Sequence, residues 1–252
     1  RGPDPAQLGD IDAVINLAGA GIGDHRWTDA YKKQLVDSRI ESTRLLASTI
    51  AELDDKPRVF LSGSAVGFYG DTGDTAVDED SPAGNDFLAD LAAKWEAAAL
   101  PASSVGIRTV LLRSGIVLST KGGALGKVLP LFRAGLGGRL GSGKQYLSWI
   151  ARPDHVAAMR FLLRSADIVG PVNLTAPTPV TNAVYTKAIA AAVRRPSFAR
   201  APSAALRLAL GEFAETVLEG QRVLPNRLLA AGFEFGYGTV DAALRALVDA
   251  NA

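Results

Sequence analysis

The sequence predicts an α/β protein: a doubly wound parallel sheet with helices on both faces, followed by a smaller, mostly helical lobe. Three observations carry this expectation. Arg58-Val59-Phe60-Leu61-Ser62 is apolar, β-branched and aromatic without alternation, as a strand buried on both faces requires. Strand-like runs alternate with helical periodicity up to about residue 174, the order expected of parallel strands joined by right-handed crossovers. Beyond that point the chain turns alanine- and leucine-rich. The expected division is therefore 1–174 for the sheet domain and 175–252 for the helical lobe.

In chain order, residues 1–10 read as a Pro/Gly-punctuated loop, and Ile11 to Gly19 as a strand ending in a glycine turn. Gly19, Gly21 and Gly23 either let the backbone approach a ligand closely, because glycine lacks a Cβ, or form a plain flexible turn. Trp27 to Ile50 has helical spacing, with Thr28 as N-cap. The buried strand at Phe60 delivers Ser62-Gly63-Ser64 to its carboxyl end, the edge at which open α/β sheets bind ligands. A helix is expected over Asp86 to Leu100, so that Ser64 and Lys94 face one crevice. Ile107 to Arg113 and Pro171 to Leu174 supply two further strands.

Lys121 to Lys144 is rich in glycine and carries five basic residues. Its Gly138-x-x-x-x-Gly143-Lys144 spacing fits part of a phosphate loop, but Gln145 stands where Ser or Thr would hold magnesium, and Tyr146 to Ile150 reads as a strand where the motif needs a helix. The segment is expected to be a mobile basic loop, whose Arg133, Arg139 and Lys144 either meet an anionic substrate or are simply solvated. Asp154 reads as the N-cap of a helix over Val156 to Arg164. His25 and His155 are the two histidines, with no cysteine or carboxylate cluster to make a metal site. A Ser-His-Asp triad through Ser64 stays open, although no G-x-S-x-G elbow surrounds that serine. Four helices are expected in the tail, over Ala183 to Arg194, Ala204 to Leu210, Glu212 to Glu219 and Val240 to Ala250.

With 252 residues, of which 48% are hydrophobic, the chain can bury a sizeable core. A net charge of +1 gives no footing for nucleic-acid or polybasic membrane binding. No apolar run is long enough to span a bilayer, and the absence of cysteine removes disulfides and thiolate metal sites. A cytoplasmic location fits that composition. The expected partners are a small-molecule substrate, with a second copy of the chain as a homodimer also admitted.

The motifs together resemble a family. Ser62-Gly63-Ser64 with Phe68-Tyr69-Gly70 resembles the strand-end motif of the extended short-chain dehydrogenases/reductases, which include nucleotide-sugar epimerases and dehydratases. Asn16-Leu17-Ala18-Gly19 resembles the segment lying along the cofactor, Arg39 to Leu46 the helix crossing back between these strands, and Ser148 to His155 the segment before a helix, with Ala151 in place of a histidine. The tail, with Gly220 to Pro225, Gly232-Phe233 and the closing helix, resembles the C-terminal module of unknown function on the atypical "epimerase family" subgroup. The resemblance implies a Rossmann-like domain binding NADP(H) more than NAD(H), a substrate side to which 115–150 contributes, and an oxidoreductase or epimerase activity. It implies catalytic roles for Ser64, Lys94 and Tyr69, and cofactor binding by Ala18, Gly19, Gly21, Ser62, Gly63, Lys94 and Arg113.

One departure bears on mechanism. The family's Tyr-x-x-x-Lys pair would place Lys94 on the cofactor ribose, but the tyrosine place holds Asp90. A carboxyl with an ordinary pKa of about 3.9 beside an ammonium is ionised at neutral pH and cannot donate a proton. The usual tyrosine relay is therefore expected to be absent, with Tyr69 as reserve donor. The competing readings are a non-catalytic dinucleotide sensor and a hydrolase using Ser64. A family member also begins with a strand, a G-x-x-G-x-x-G turn and a helix whose N–H groups hold the pyrophosphate. No such segment precedes Ile11 here, so the sequence reads as a fragment, with the Ile11 strand as an exposed edge and weakened cofactor binding.

Overall fold

The computed structural model describes residues 10–250. The chain divides into two compact units that interleave along the sequence. The first comprises residues up to Gly70, Pro82–Arg113 and Met159–Val172; the second comprises Asp71–Ser81, Ser114–Ala158 and the chain from Asn173 onward.

The first unit is built on a sheet whose strands Ala13–Asn16, Val59–Ala65, Arg108–Ser114 and Gly170–Leu174 lie side by side in that order. The first two are parallel, with Asn16 in register with Ser62, so the Asn16–Gly21 turn and the Ser62-Gly63-Ser64 end of the second strand lie at the same end of the sheet. Every residue of Val59–Ala65 except the last is buried, as its unalternating pattern required. The 23-residue helix Asp29–Ala51 starts where the sequence placed it, with the Thr28 side chain accepting from Tyr31 N at 3.2 Å. Asp86 caps the helix Phe87–Ala97 in the same way, accepting from Ala89 N at 2.8 Å. Phe60, Ile50, Ala47 and Ile107 join the helices to the sheet in one apolar cluster.

The second unit contains short ribbons and the tail helices around its own core, where Leu118, Trp149, Ile189 and Leu244 are fully buried. The closing helix Val240–Asp249 buries Val240, Ala243, Leu244, Leu247 and Val248, the i, i+3, i+4, i+7, i+8 stripe of an amphipathic helix.

Three expectations change here. The basic loop is in large part a helix, Gly123–Arg133, because Leu125, Leu129 and Phe132 form a buried stripe at helical spacing. Pro130 lies inside it, in the last turn. The strand expected over Tyr146 to Ile150 is two short strands, Tyr146–Leu147 and Trp149–Ala151. Between them Ser148 Oγ donates to Gln221 O at 2.7 Å and accepts from Val223 N at 2.9 Å. Asp154 lies inside the helix Arg152–Arg164 and does not cap it; its carboxylate accepts from Gly236 N and Tyr237 N.

Candidate active site

In the first unit the carboxyl end of the Val59–Ala65 strand carries a buried polar cluster. Ser64 is 4% exposed, and its hydroxyl donates to Glu96 Oε1 at 2.6 Å. Arg113, at the end of the neighbouring strand, grips the same carboxylate with two bonds, Nε to Oε1 at 2.7 Å and Nη2 to Oε2 at 2.9 Å. Its Nη1 donates to the Tyr69 hydroxyl at 3.0 Å, and its guanidinium lies 3.5 Å from the centre of the Phe68 ring. Burial alone would lower the Arg113 pKa, but the Glu96 hydrogen bonds and charge hold it above the usual arginine value. The two bonds fix the orientation of both side chains.

The cluster joins Ser64, Tyr69 and Arg113, all singled out from sequence, through Glu96, which was not. Lys94 stands apart: its Nζ is 2.6 Å from Asp90, and both side chains are more than half exposed. Two residues along a helix turn through about 200°, so Lys94 and Glu96 occupy opposite faces. The signal for Glu96 was present in the sequence. Leu91, Ala92 and Trp95 form the buried face of that helix, and Glu96 borders it. Arg113 is likewise a charge following the apolar run Val110-Leu111-Leu112 of its strand.

A second network ties the end of the first strand to the two helices. Thr43 Oγ1 accepts from Asn16 Nδ2 at 2.8 Å and from Trp95 Nε1 at 2.9 Å. Asn16 Oδ1 in turn accepts from Ala18 N at 3.1 Å. Gly63 is required by this packing, since a Cβ there would come 2.6 Å from the Trp95 ring and 3.1 Å from Asn16 O. Ala18 and Gly19 are exposed, whereas Ser62 and Gly63 are buried. The Ser62 hydroxyl is buried without a hydrogen-bond partner. Gly21 lies against Asp24, so its small size serves the loop itself. An accessible backbone turn, beside a buried hydroxyl cluster at the carboxyl ends of adjacent parallel strands, fits a dinucleotide laid across the sheet end.

The histidines are engaged elsewhere. His155, in the second unit, has Nε2 2.9 Å from Ser114 Oγ, and its pKa is lowered by burial. His25 packs edge-on against Tyr31. Among the described residues Ser64 has a carboxylate partner and no histidine, which gives no support to a Ser-His-Asp reading. No group of three or more His, Cys, Asp or Glu among them could hold a metal ion, and no helix among them is long and apolar enough to cross a membrane.

Comparison with known proteins adds to this geometry. Residues 5–174 match the NAD dependent epimerase/dehydratase family, and residues 201–247 match a domain of unknown function. An epimerase family protein of Mycobacterium bovis is 49% identical over 242 residues, covering 96% of this chain and 80% of that protein. The human epimerase family protein SDR39U1 is 39% identical over 246 residues, covering 96% and 83%. A crystal structure of the human protein with NADPH superposes with a TM-score of 0.92 at 38% identity, over 96% of this chain and 83% of that one. The UDP-glucuronic acid 4-epimerase of Bacillus cereus in complex with NAD, at 16% identity and a TM-score of 0.75 over 97% of this chain and 75% of that one, shares the fold.

Proposed function

The chain belongs to the NAD dependent epimerase/dehydratase family, and from that premise we propose that it is an NADP(H)-dependent oxidoreductase or epimerase whose proton relay runs through Ser64 to Glu96. The observation that carries this reading is the 2.6 Å bond from the Ser64 hydroxyl to Glu96. A serine that donates to a carboxylate keeps its lone pairs for a substrate hydroxyl. As that hydroxyl is oxidised to a carbonyl, its proton passes to Ser64 Oγ and the serine proton passes to Glu96. Arg113 keeps the carboxylate oriented for the transfer through its two bonds. The Tyr69 hydroxyl, which accepts from Arg113, is the second donor within the cluster.

Cofactor binding is assigned to the backbone of Ala18, Gly19 and Gly21 and to Ser62 and Gly63. The nicotinamide supplies the hydride acceptor or donor when bound. The NADPH in the human relative supports the phosphorylated cofactor. Lys94 is left outside the reacting cluster, because its ammonium is paired to Asp90 on the exposed face.

The test is turnover of NADP(H) against a panel of carbonyl and nucleotide-sugar substrates, with Ser64→Ala and Glu96→Gln compared with the unsubstituted protein. Both substitutions are expected to reduce kcat by 10²-fold or more, the usual order for losing acid–base help, while leaving cofactor affinity within a few-fold. Full activity in either would remove the relay. Tight NADPH binding with no turnover on any substrate would favour the non-catalytic sensor.

A further inference from the structure

Arg39 lies on the helix Asp29–Ala51 and is 7% exposed. Its guanidinium donates to Leu35 O at 3.2 Å and to Ala20 O at 2.9 Å, and sits 5.2 Å from the centre of the Trp95 ring. Among the described residues no carboxylate pairs with it. Burial lowers its pKa, which states in other terms that a charge is being kept out of water without a counter-charge.

The turn above it does not need that charge for its own hydrogen bonds. Ala18 N donates to Asn16 Oδ1, Ala20 N to Ser38 Oγ, and the Tyr31 hydroxyl to Gly21 O. Neutral side chains secure these three points of the turn, and a neutral donor would serve Ala20 O as well. What a guanidinium adds is a fixed positive charge in a site of low dielectric, where its attraction for an anion is stronger than in water. Gly19 is the thin point: a Cβ there would lie 3.1 Å from Arg39 Cζ, so only glycine backbone covers the cation on that side.

We infer that Arg39 provides the positive charge beneath the Ala18–Gly21 turn for an anionic phosphate group of the dinucleotide laid along that turn. The inference rests on the dinucleotide reading proposed above. It adds a residue that touches no reacting atom and determines how strongly the phosphates are held. The anion completes the neutralisation that the protein leaves undone.

The experiment is NADPH binding, followed by tryptophan fluorescence at low and high salt, for the unsubstituted protein, Arg39→Met and Arg39→Lys. Thermal melts check that each variant is folded, and Arg39→Gln replaces the methionine variant if that one is not. Removing the charge is expected to weaken binding at low salt at least about tenfold, as losing one charge-assisted contact does, and to flatten the salt dependence. Arg39→Lys, which keeps the charge without the forked geometry, is expected to retain most of the salt dependence. Unchanged affinity in Arg39→Met, or a loss of affinity with unchanged salt dependence, would overturn the inference and leave Arg39 as a clamp on the turn. In both of those outcomes the unsubstituted protein still binds NADPH. No binding by the unsubstituted protein at any salt would instead remove the dinucleotide reading, and this inference with it.

Discussion

The first unit buries two arginines at the same end of its sheet, and they differ in one respect. Arg113 is matched by the bidentate Glu96 carboxylate, and its pKa is raised; Arg39 has only carbonyl oxygens and an indole face, and its pKa is lowered. A buried cation with an internal counter-ion is a structural fixture, and here it fixes the carboxylate to which Ser64 donates. A buried cation without one remains available to an external anion. On the proposed reading, the same residue type serves the reaction in one place and the ligand in the other.

Breaking the paired side should have the largest effect. Glu96→Ala strands the Arg113 guanidinium in a site where its side chain is 5% exposed, and removing one partner of such a pair costs about 3–5 kcal/mol. Arg39→Met forfeits two bonds to carbonyls but relieves an uncompensated charge, and its stability should stay within about 1 kcal/mol of the unsubstituted protein. Urea midpoints for the two variants check the contrast. Equal losses would show that Arg39 is as structural as Arg113.

A smaller loss should follow at Thr43, the residue joining Asn16 to Trp95. Thr43→Val conserves shape but leaves Asn16 Nδ2 and Trp95 Nε1 without their shared acceptor. Stranding buried donors should cost about 2 kcal/mol, read in the same denaturation experiment. Because Thr43 touches neither arginine through a hydrogen bond, the contrast between Glu96→Ala and Arg39→Met should persist in the Thr43→Val background.

Desolvation without a counter-charge recurs at His155 in the second unit, where it gives a pH signature. Burial lowers the folded-state pKa below the usual 6.5, so the unfolded chain binds the proton first as pH falls. The stability His155 contributes is therefore present above about pH 6.5 and lost as pH falls through its folded value. Melts between pH 7.5 and pH 5 should show a decline in the unsubstituted protein that His155→Gln reduces. An identical decline in both would assign it to other groups.

How much of this was legible in the sequence depends on which face of an element a residue occupies. The unalternating run at Phe60, the Thr28 cap and the Val240 stripe are local signals, and each formed the element it announced. The Lys121 to Lys144 segment misled because glycine count outweighed the Leu125, Leu129, Phe132 spacing. At the site, motif matching selected Ser64 and Tyr69 but followed the lysine of a four-residue spacing, and so passed over Glu96 two positions on. A helix wheel anchored on Trp95 would have placed that carboxylate beside the buried face. That no carboxylate among the described residues pairs with Arg39 lies beyond any local pattern, since it depends on which residues fail to come near it.

Lys94 should have the smallest effect, and it separates the sequence expectation from the geometry. Exposed i, i+4 ion pairs contribute about 0.3–0.5 kcal/mol, so Lys94→Ala should hardly move the urea midpoint. If the ammonium holds the cofactor ribose, as the resemblance implies, the same substitution should nonetheless weaken NADPH binding by tenfold or more. The geometry points the other way. Lys94 is on the face of its helix opposite the Ser64, Glu96 and Arg113 cluster, bound to Asp90, and a side chain cannot serve a site behind its own helix without turning that helix over. NADPH affinity within about twofold is therefore expected for Lys94→Ala, beside a large loss for Arg39→Met. The reverse order would return the cofactor contact to Lys94 and leave the unpaired charge of Arg39 without a ligand.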